Sequence, residues 1–234
     1  MIQGRGEFVR LALEEGGARY VDVARLPKSE GGGIDAISRV LGGELGGTVP
    51  FAVPALKVGR LVVAQTANIL AFLGPRLGLV PADEAARLAA HQHQLTIADL
   101  VAETHETHHP IAAGLYYEDQ KKEAKARAKA FRGERIPKYL GYFESLLDAN
   151  QRGKHRFALG ARLTTVDLSL FQIMAGLQYA FPNAFKRVTK RTPRLLALRD
   201  AVAERARIAA YLSSPRRIPF NEMGIFRRYP ELDD

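Results

Sequence analysis

The stretch 50-PFAVPALKVGRLVVAQTANI-69 contains two short apolar runs, a turn between them and a polar pair after them. The runs 55-ALKV-58 and 61-LVVA-64 are separated by Gly59-Arg60, and this spacing predicts a β-hairpin. The pattern then changes to helical, and a helix is predicted from residue 66 to about residue 77. A hairpin that leads directly into a helix is typical of an α/β unit.

The residues before this hairpin extend the α/β unit toward the N-terminus. Residues 5–15 predict an amphipathic helix that ends at Gly16-Gly17. Residues 19–25 alternate between apolar and polar side chains, which predicts a strand. Residues 34–41 predict a short helical turn. The first third of the chain therefore has the predicted order helix, strand, hairpin, helix.

From Pro81 onward almost every segment has helical periodicity. The segments predicted to be helical are 82–109, about 119–148 with Pro137 as a position where a kink can form, a helix opening at 164-TTVD-167 with a capping-box pattern, a helix after Pro193, and 206–212. The tail, residues 215–234, is predicted to be irregular. The predicted fold class is therefore an α/β domain over residues 1–79, followed by an all-helical domain over residues 80–234.

Composition excludes several classes of function. The 234 residues include no cysteine, so disulfides, zinc–thiolate sites and cysteine nucleophiles are excluded. No apolar run approaches the roughly 20 residues that span a bilayer, and the N-terminus lacks the apolar core of a secretion signal, so a cytoplasmic protein without membrane contact is expected. The net charge of +9 favours anionic partners. No nucleic-acid motif accompanies this charge, so a nucleic-acid partner is not expected, whereas a small anionic substrate would use the same field.

Two features of the opening stretch are suited to a small peptide ligand. A cis Val53-Pro54 bond would leave the backbone of Val53 free to pair with an extended ligand, whereas a trans bond would only open the strand. Gln65-Thr66 lies where the strand passes into the helix. Two interpretations of this position stay open. Either the first amide groups of the helix form a binding site for a carboxylate, or Thr66 only caps the helix.

Several segments together resemble one family. They are 4-GRGEFVRLALEE-15, the V-P-A-L start of the hairpin, 65-QTANILAFLG-74, 95-LTIAD-99 and 163-LTTVDLSLF-171. In order and spacing the chain resembles the cytosolic glutathione transferases, and most of all the sigma-like and bacterial branches that carry GRGE at the first helix. The resemblance implies a thioredoxin-like N-terminal domain, glutathione as co-substrate, and attack of the glutathione thiolate on an electrophilic apolar compound.

The resemblance also assigns roles to the residues of the hairpin. It implies that the backbone of Val53, before a cis proline at Pro54, pairs with the cysteinyl residue of glutathione. Gln65 and Thr66 would hold the γ-glutamyl end.

The resemblance assigns further roles outside the hairpin. Asp99 would reach the γ-glutamyl group bound by the partner subunit, which implies a homodimer. Arg5 matches an arginine placed near the thiol, and it is the residue of this chain tied to catalysis. Thr164 and Asp167 match a cap that serves folding.

The family activates the thiol with a tyrosine or serine hydroxyl at the end of a first strand, and spacing from Arg5 places that position before Met1. Three alternatives stay open. The sequence starts late, or the protein is a variant without that strand and its hydroxyl, or Tyr116 or Tyr117 is the donor. The second alternative leads to a different class of protein, a non-catalytic ligand-binding protein with a transferase fold.

The segment 103-ETHETHH-109 has the composition of a metal site. Two histidines on one helical face, His105 with either His108 or His109, lack a third ligand elsewhere, so no metal is expected. The resemblance instead places the pocket for the electrophile near the end of this helix, where Thr104, His105 and His108 would line it or cap the helix.

Overall fold

The computed structural model describes residues 1–234. The first third consists of helix α1 (Gly6–Glu15), helix α2 (Ile34–Leu41), strands β1 (Ala55–Val58) and β2 (Leu61–Ala64), and helix α3 (Thr66–Arg76). The two strands form an antiparallel hairpin in which Ala55 pairs with Ala64 and Val58 pairs with Leu61. The predicted hairpin and the helix after it are therefore confirmed.

The prediction of a strand over residues 19–25 is wrong. Only Val23–Arg25 form regular structure there, a short 3₁₀ turn, and the sheet contains only β1 and β2. With no strand beside it, this segment has no partner for a ladder of backbone hydrogen bonds. Side chains hold it instead, because Arg10 donates to Asp22 at 2.7 Å and Tyr20 donates to Glu14 at 2.7 Å.

The remainder of the chain is helical. Its helices are α4 (Glu84–Glu106), α5 (Lys121–Ala130), α6 (Ile136–Arg152), α7 (Thr165–Ala180), α8 (Pro182–Thr189), α9 (Pro193–Ala203) and α10 (Ala206–Leu212). A π-helical segment, Phe131–Arg135, separates α5 from α6 just before Pro137, so the single long helix predicted there is interrupted. Helix α8 was not predicted. It begins at Pro182, directly after the C-cap of α7, and the apolar pattern of the sequence hardly changes between the two helices.

Helix α7 lies at the centre of the main core. Nearly all of its residues are buried, and its start carries the predicted capping box between Thr164 and Asp167. The main core also takes Phe8, Leu11 and Leu70 from α1 and α3. The opposite faces of these two helices form a smaller cluster with the hairpin, made of Val9, Leu13, Val63, Ile69 and Leu73. Helices α1 and α3 therefore connect the hairpin to the helical part, and the start of each is held in a fixed position.

The fold is a thioredoxin-like unit with a small sheet followed by an all-helical part, as the sequence predicted. None of the helices is both long and apolar enough to cross a membrane.

Candidate functional site

The backbone of Val53 is free at the end of the hairpin. The Val53–Pro54 peptide bond is cis, as the resemblance implies. Val53 is 43% exposed, and neither its amide nor its carbonyl forms a backbone hydrogen bond within the chain. Because an unpaired donor and acceptor beside a strand can pair with an extended peptide, this position can accept a ligand as an added strand.

Gln65 and Thr66 lie at the same end of the hairpin as Val53, because Ala55 pairs with Ala64. Gln65 has φ 69°, a positive value that is uncommon for a residue with a side chain and is often found at binding sites. It serves as the N-cap of α3, yet no side chain caps this helix. The first amide groups of α3 are therefore available to a carboxylate, in the position where the helix dipole favours one.

Arg5 joins this end of the molecule through its backbone. The hydroxyl of Thr66 lies 3.4 Å from the Arg5 carbonyl oxygen and donates to it, so the starts of α1 and α3 are neighbours. Partial burial lowers the pKa of Arg5, which nevertheless stays charged at neutral pH. Burial lowers the pKa of His105, and the charges of His109 and Arg5 lower it further, so the Arg5 guanidinium acts on the end of α4.

Three histidines converge at the end of α4. The ring centroids of His105, His108 and His109 lie 4.8–5.0 Å apart in each pair. The expectation that only two of them would share a face is wrong, because the chain turns after Glu106 and brings all three together. Burial lowers the pKa of His105 to about 4 and of His108 to about 3, with a further contribution from Arg227, so both rings are neutral at pH 7.

The other two predicted site residues, Asp99 and Thr104, lie on α4 before the three histidines. Thr104 is buried, and its hydroxyl donates to the carbonyl of Leu100 at 2.7 Å. Asp99 lies on the exposed face of α4 and has no hydrogen-bond or ion-pair partner within the chain. Their roles in the pocket and across a subunit boundary stay predictions.

The tyrosines considered as thiol activators are placed differently from one another. Tyr117 is buried and donates to Glu231 at 2.9 Å, and burial together with this carboxylate raises its pKa. Its hydroxyl is therefore already paired with the tail. Tyr116 is exposed before a short 3₁₀ turn.

Sequence reasoning missed the polar cluster behind the start of α1. Glu7 is fully buried and accepts hydrogen bonds from Tyr211 at 2.8 Å and from Arg10 at 3.1 Å. Arg217 forms a close ion pair with the same carboxylate. This cluster joins the start of α1 to the tail. No local signal announces it, because Tyr211 and Arg217 are more than 200 residues away from Glu7.

A cavity of about 540 Å³ lies elsewhere, between the π-helical segment and α8. It is lined mainly by basic side chains, those of Lys129, Arg132, Arg187, Lys190 and Arg191. Its lining does not include Thr104, His105 or His108, so it is not the pocket predicted at the end of α4.

Sequence comparisons identify relatives with a common name. Residues 105–215 match the family model "Glutathione S-transferase, C-terminal domain". A glutathione S-transferase of Plasmodium falciparum (isolate 3D7) is 24% identical over 217 residues, which are 91% of this chain and 92% of that protein. A glutathione S-transferase of Plasmodium yoelii yoelii is 24% identical over 185 residues, covering 79% of this chain and 78% of that protein.

Solved structures share the fold. The prostaglandin synthase D of Nilaparvata lugens superposes with a TM-score of 0.69 at 19% identity, over 93% of this chain and 96% of that one. The Pi-class glutathione S-transferase of Onchocerca volvulus gives a TM-score of 0.67 at 19% identity, over 90% of this chain and 88% of that one. The resemblance inferred from the sequence is confirmed, while the sigma-like and bacterial placement stays a prediction. The helical part of this chain therefore matches the C-terminal domain of the glutathione S-transferases, and most of the chain is similar to proteins of that name.

Proposed function

We propose that this protein binds glutathione at the end of the hairpin and transfers its thiolate to an electrophilic carbon of an apolar compound. The backbone of Val53 would pair with the cysteinyl residue, and Gln65 with Thr66 would hold the γ-glutamyl end. Arg5 would attract the thiolate. A cytoplasmic location stays a prediction from the sequence.

One observation carries this proposal: the free backbone of Val53 and the uncapped start of α3 lie at the same end of the hairpin. An extended peptide that ends in an α-amino-acid group needs both features, a strand partner for its backbone and unpaired amides for its carboxylate. The strained backbone of Gln65 supports the proposal, because such strain costs on the order of 1–3 kcal/mol and is concentrated at binding sites.

Glutathione binding tests the proposal directly. The double variant Gln65→Ala, Thr66→Ala removes an amide and a hydroxyl that would contact a charged group. Such contacts contribute roughly 1.5–3 kcal/mol, so the affinity measured by calorimetry should fall about 10- to 100-fold. Equal affinity for glutathione in the variant and the wild type would refute the proposed glutathione site, which consists of Val53, Gln65 and Thr66.

Thr96→Ala is the matched control for this experiment. Thr96 lies on α4, and its hydroxyl donates to the carbonyl of Gln92 at 3.1 Å. Because it lies away from the hairpin end, its loss should leave glutathione affinity unchanged.

A second function belongs to a different class: a ligand-binding protein with a transferase fold and no catalytic activity. The pairing of the Tyr117 hydroxyl with Glu231 favours it, because this removes one of the two tyrosines considered as thiol activators.

The thiol of bound glutathione distinguishes the two functions. A free thiol has a pKa of roughly 8.5, and an enzyme of this kind lowers that value. Ultraviolet absorbance of the thiolate, followed against pH with saturating glutathione, reports the pKa of the bound thiol. A lowered pKa together with conjugation of a chlorinated aromatic compound supports the transferase, and an unchanged pKa supports the binding protein.

We also propose that two copies associate through the exposed face of α4. Leu88 and Leu95 are 63% and 49% exposed there, and Gln92 and Asp99 share their face at helical spacing. Asp99 would then be able to reach the glutathione bound by the partner subunit, as the resemblance implies.

A further inference from the structure

The histidine cluster at the end of α4 has the composition and the convergence of a metal site. One nitrogen from each of His105, His108 and His109 lies within 4.8 Å of the others. In a tetrahedral zinc site the metal–nitrogen distance is about 2.0–2.1 Å, which sets nitrogen atoms roughly 3.3 Å apart. Small side-chain rotations would close this difference. Because His105 and His109 are only half-buried, they have room to make them.

Hydrogen bonds fix which nitrogen of His108 is available. Its Nε2 lies 2.9 Å from the carbonyl oxygen of Ile225, which can only accept, so Nε2 carries the proton. The lone pair of the neutral ring is then on Nδ1. This atom is buried and has no hydrogen-bond partner in the chain. A buried acceptor without a partner is costly, and a ligand would satisfy it.

The ring of His109 is oriented in a similar way. Its Nδ1 lies 3.1 Å from the carbonyl oxygen of Leu115 and 3.4 Å from the amide nitrogen of Gln120. The shorter contact is to an atom that can only accept, which places the proton on Nδ1 and the lone pair on Nε2. Histidines that bind metals usually donate their other ring N–H to a carbonyl or carboxylate, which orients the ring. Two of the three rings already have such a carbonyl partner.

We propose that His105, His108 and His109 form a binding site for a divalent first-row transition-metal ion, with zinc as the probe. Three imidazole ligands leave one of the four tetrahedral coordination positions open, and this ligand set is found in zinc sites that bind water or substrate. The earlier expectation of no metal depended on a missing third ligand, and the turn after α4 supplies it.

Neighbouring charges limit the affinity. The carboxylates of Glu103 and Glu106 on the same helix are paired with Arg127, so no free carboxylate faces the ion. Arg5 and Arg227 are the cations that act on the cluster. A dication beside them favours an anion as its fourth ligand, and binding in the micromolar range is expected rather than the tighter binding of a purely structural site.

Calorimetric titration of untagged full-length protein with zinc chloride tests the site. One zinc ion per chain is expected. His105→Ala and His109→Ala should each weaken binding by at least about 100-fold, because loss of even an outer-shell partner costs 10- to 100-fold. Both side chains are half-buried and can be removed with less disturbance than His108, and circular dichroism verifies that the variants are folded.

His155→Ala is the matched control, since His155 is exposed on the loop after α6. It should bind zinc like the wild type. Cobalt provides a second measurement, because a visible absorption band of a tetrahedral complex should form in the wild type and be lost in His105→Ala. Absence of zinc binding, or equal binding by the wild type and both cluster variants, overturns the proposal.

Discussion

Asp167 is fully buried, and its carboxylate accepts three hydrogen bonds at the start of α7. They come from the amides of Ala158 and Thr164 at 2.8 and 2.7 Å, and from the Thr164 hydroxyl at 2.7 Å. Asp167→Ala leaves these donors without partners, and each buried unpaired donor costs roughly 1–3 kcal/mol. We therefore expect urea denaturation to show a loss of several kcal/mol.

Asp83→Ala provides the comparison for Asp167. Asp83 caps α4 through one exposed hydrogen bond to the amide of Ala86, at 2.8 Å. Removal of an N-cap of this kind costs typically about 1 kcal/mol. If both variants lost the same stability, the buried network of Asp167 would contribute nothing beyond an ordinary cap.

His93 provides a test of pH dependence. It is buried beside Phe143, its Nδ1 lies 3.2 Å from the Tyr142 hydroxyl, and burial lowers its pKa from 6.5. The unfolded chain therefore binds a proton at pH values where the folded protein does not. Stability from this group is complete above pH 6.5 and is lost as the pH falls below that value. His93→Gln should lose less stability between pH 7 and pH 5.5 than the wild type, as measured by urea midpoints.

The exposed His155 is again the control. His155→Gln should follow the pH dependence of the wild type. If His93→Gln followed it as well, burial of His93 would not contribute to the acid sensitivity.

Single residues were predictable from the sequence where their partners are near in the chain. Thr164 and Asp167 are three positions apart, and the capping pattern identified them. The sequence paired His105 with either His108 or His109, and it did not reveal that the turn after Glu106 brings both of these rings to His105. Glu7 could not be recognised as buried, since its partners Tyr211 and Arg217 come from the other end of the chain.

At the scale of elements, α7 depends on a glycine where the tail crosses it. A Cβ atom at Gly176 would lie 2.4–2.5 Å from the ring of Phe226, which is buried against this helix. Gly176→Ala should therefore displace the ring and cost roughly 1–3 kcal/mol, as overpacking does. Thermal unfolding of the variant measures this loss.

Gly141→Ala makes the same chemical change in an open position. It lies within α6, and a Cβ atom there meets nothing within 4 Å. Alanine is the better helix former, so this variant should be more stable than the wild type by up to about 1 kcal/mol. If Gly176→Ala were stabilised to the same extent as Gly141→Ala, helix propensity, and not the contact with Phe226, would control the result.

Elements with a strong local signal were predicted well. The bounds of β1 and β2 follow from two apolar runs on either side of Gly59-Arg60, and no distant contact is needed to define them. The strand predicted over residues 19–25 failed because a strand needs a neighbour, and alternation within one segment cannot reveal whether a neighbour exists. The π-helical segment Phe131–Arg135 lies in a run with helical periodicity, which one extra residue per turn hardly changes.

At the scale of the whole molecule, the proposed association of two copies makes a clear prediction. Leu95→Glu places a charge on the exposed face of α4, where burial in a dimer would be costly. Sedimentation velocity should show a dimer for the wild type and mostly monomer for this variant. Val21→Glu, at an exposed position after α1, should leave the dimer intact. A wild-type protein that stays monomeric at high micromolar concentration would contradict the proposal.

The overall architecture, an α/β unit followed by a run of helices, was predictable because it follows from the hydrophobic periodicity of the sequence. The packing of that unit on the helices was not predictable, because α1 and α3 each divide their apolar residues between two cores. The same limit applies to the site. Its hairpin half is local in sequence, whereas the approach of Arg5 to Thr66 joins positions 61 residues apart.

The ion pair between Glu7 and Arg217 has a consequence for the order in which the parts of a newly synthesised chain can fold. The carboxylate is translated among the first residues, and its guanidinium counterpart among the last. Until translation is nearly complete, Arg10 is the only cation that can pair with Glu7, so the first helix would have to bury this carboxylate without its second cation, which the low-dielectric interior disfavours. A premature stop a few codons after Tyr211 would therefore damage the opposite terminus of the polypeptide, where glutathione is proposed to bind.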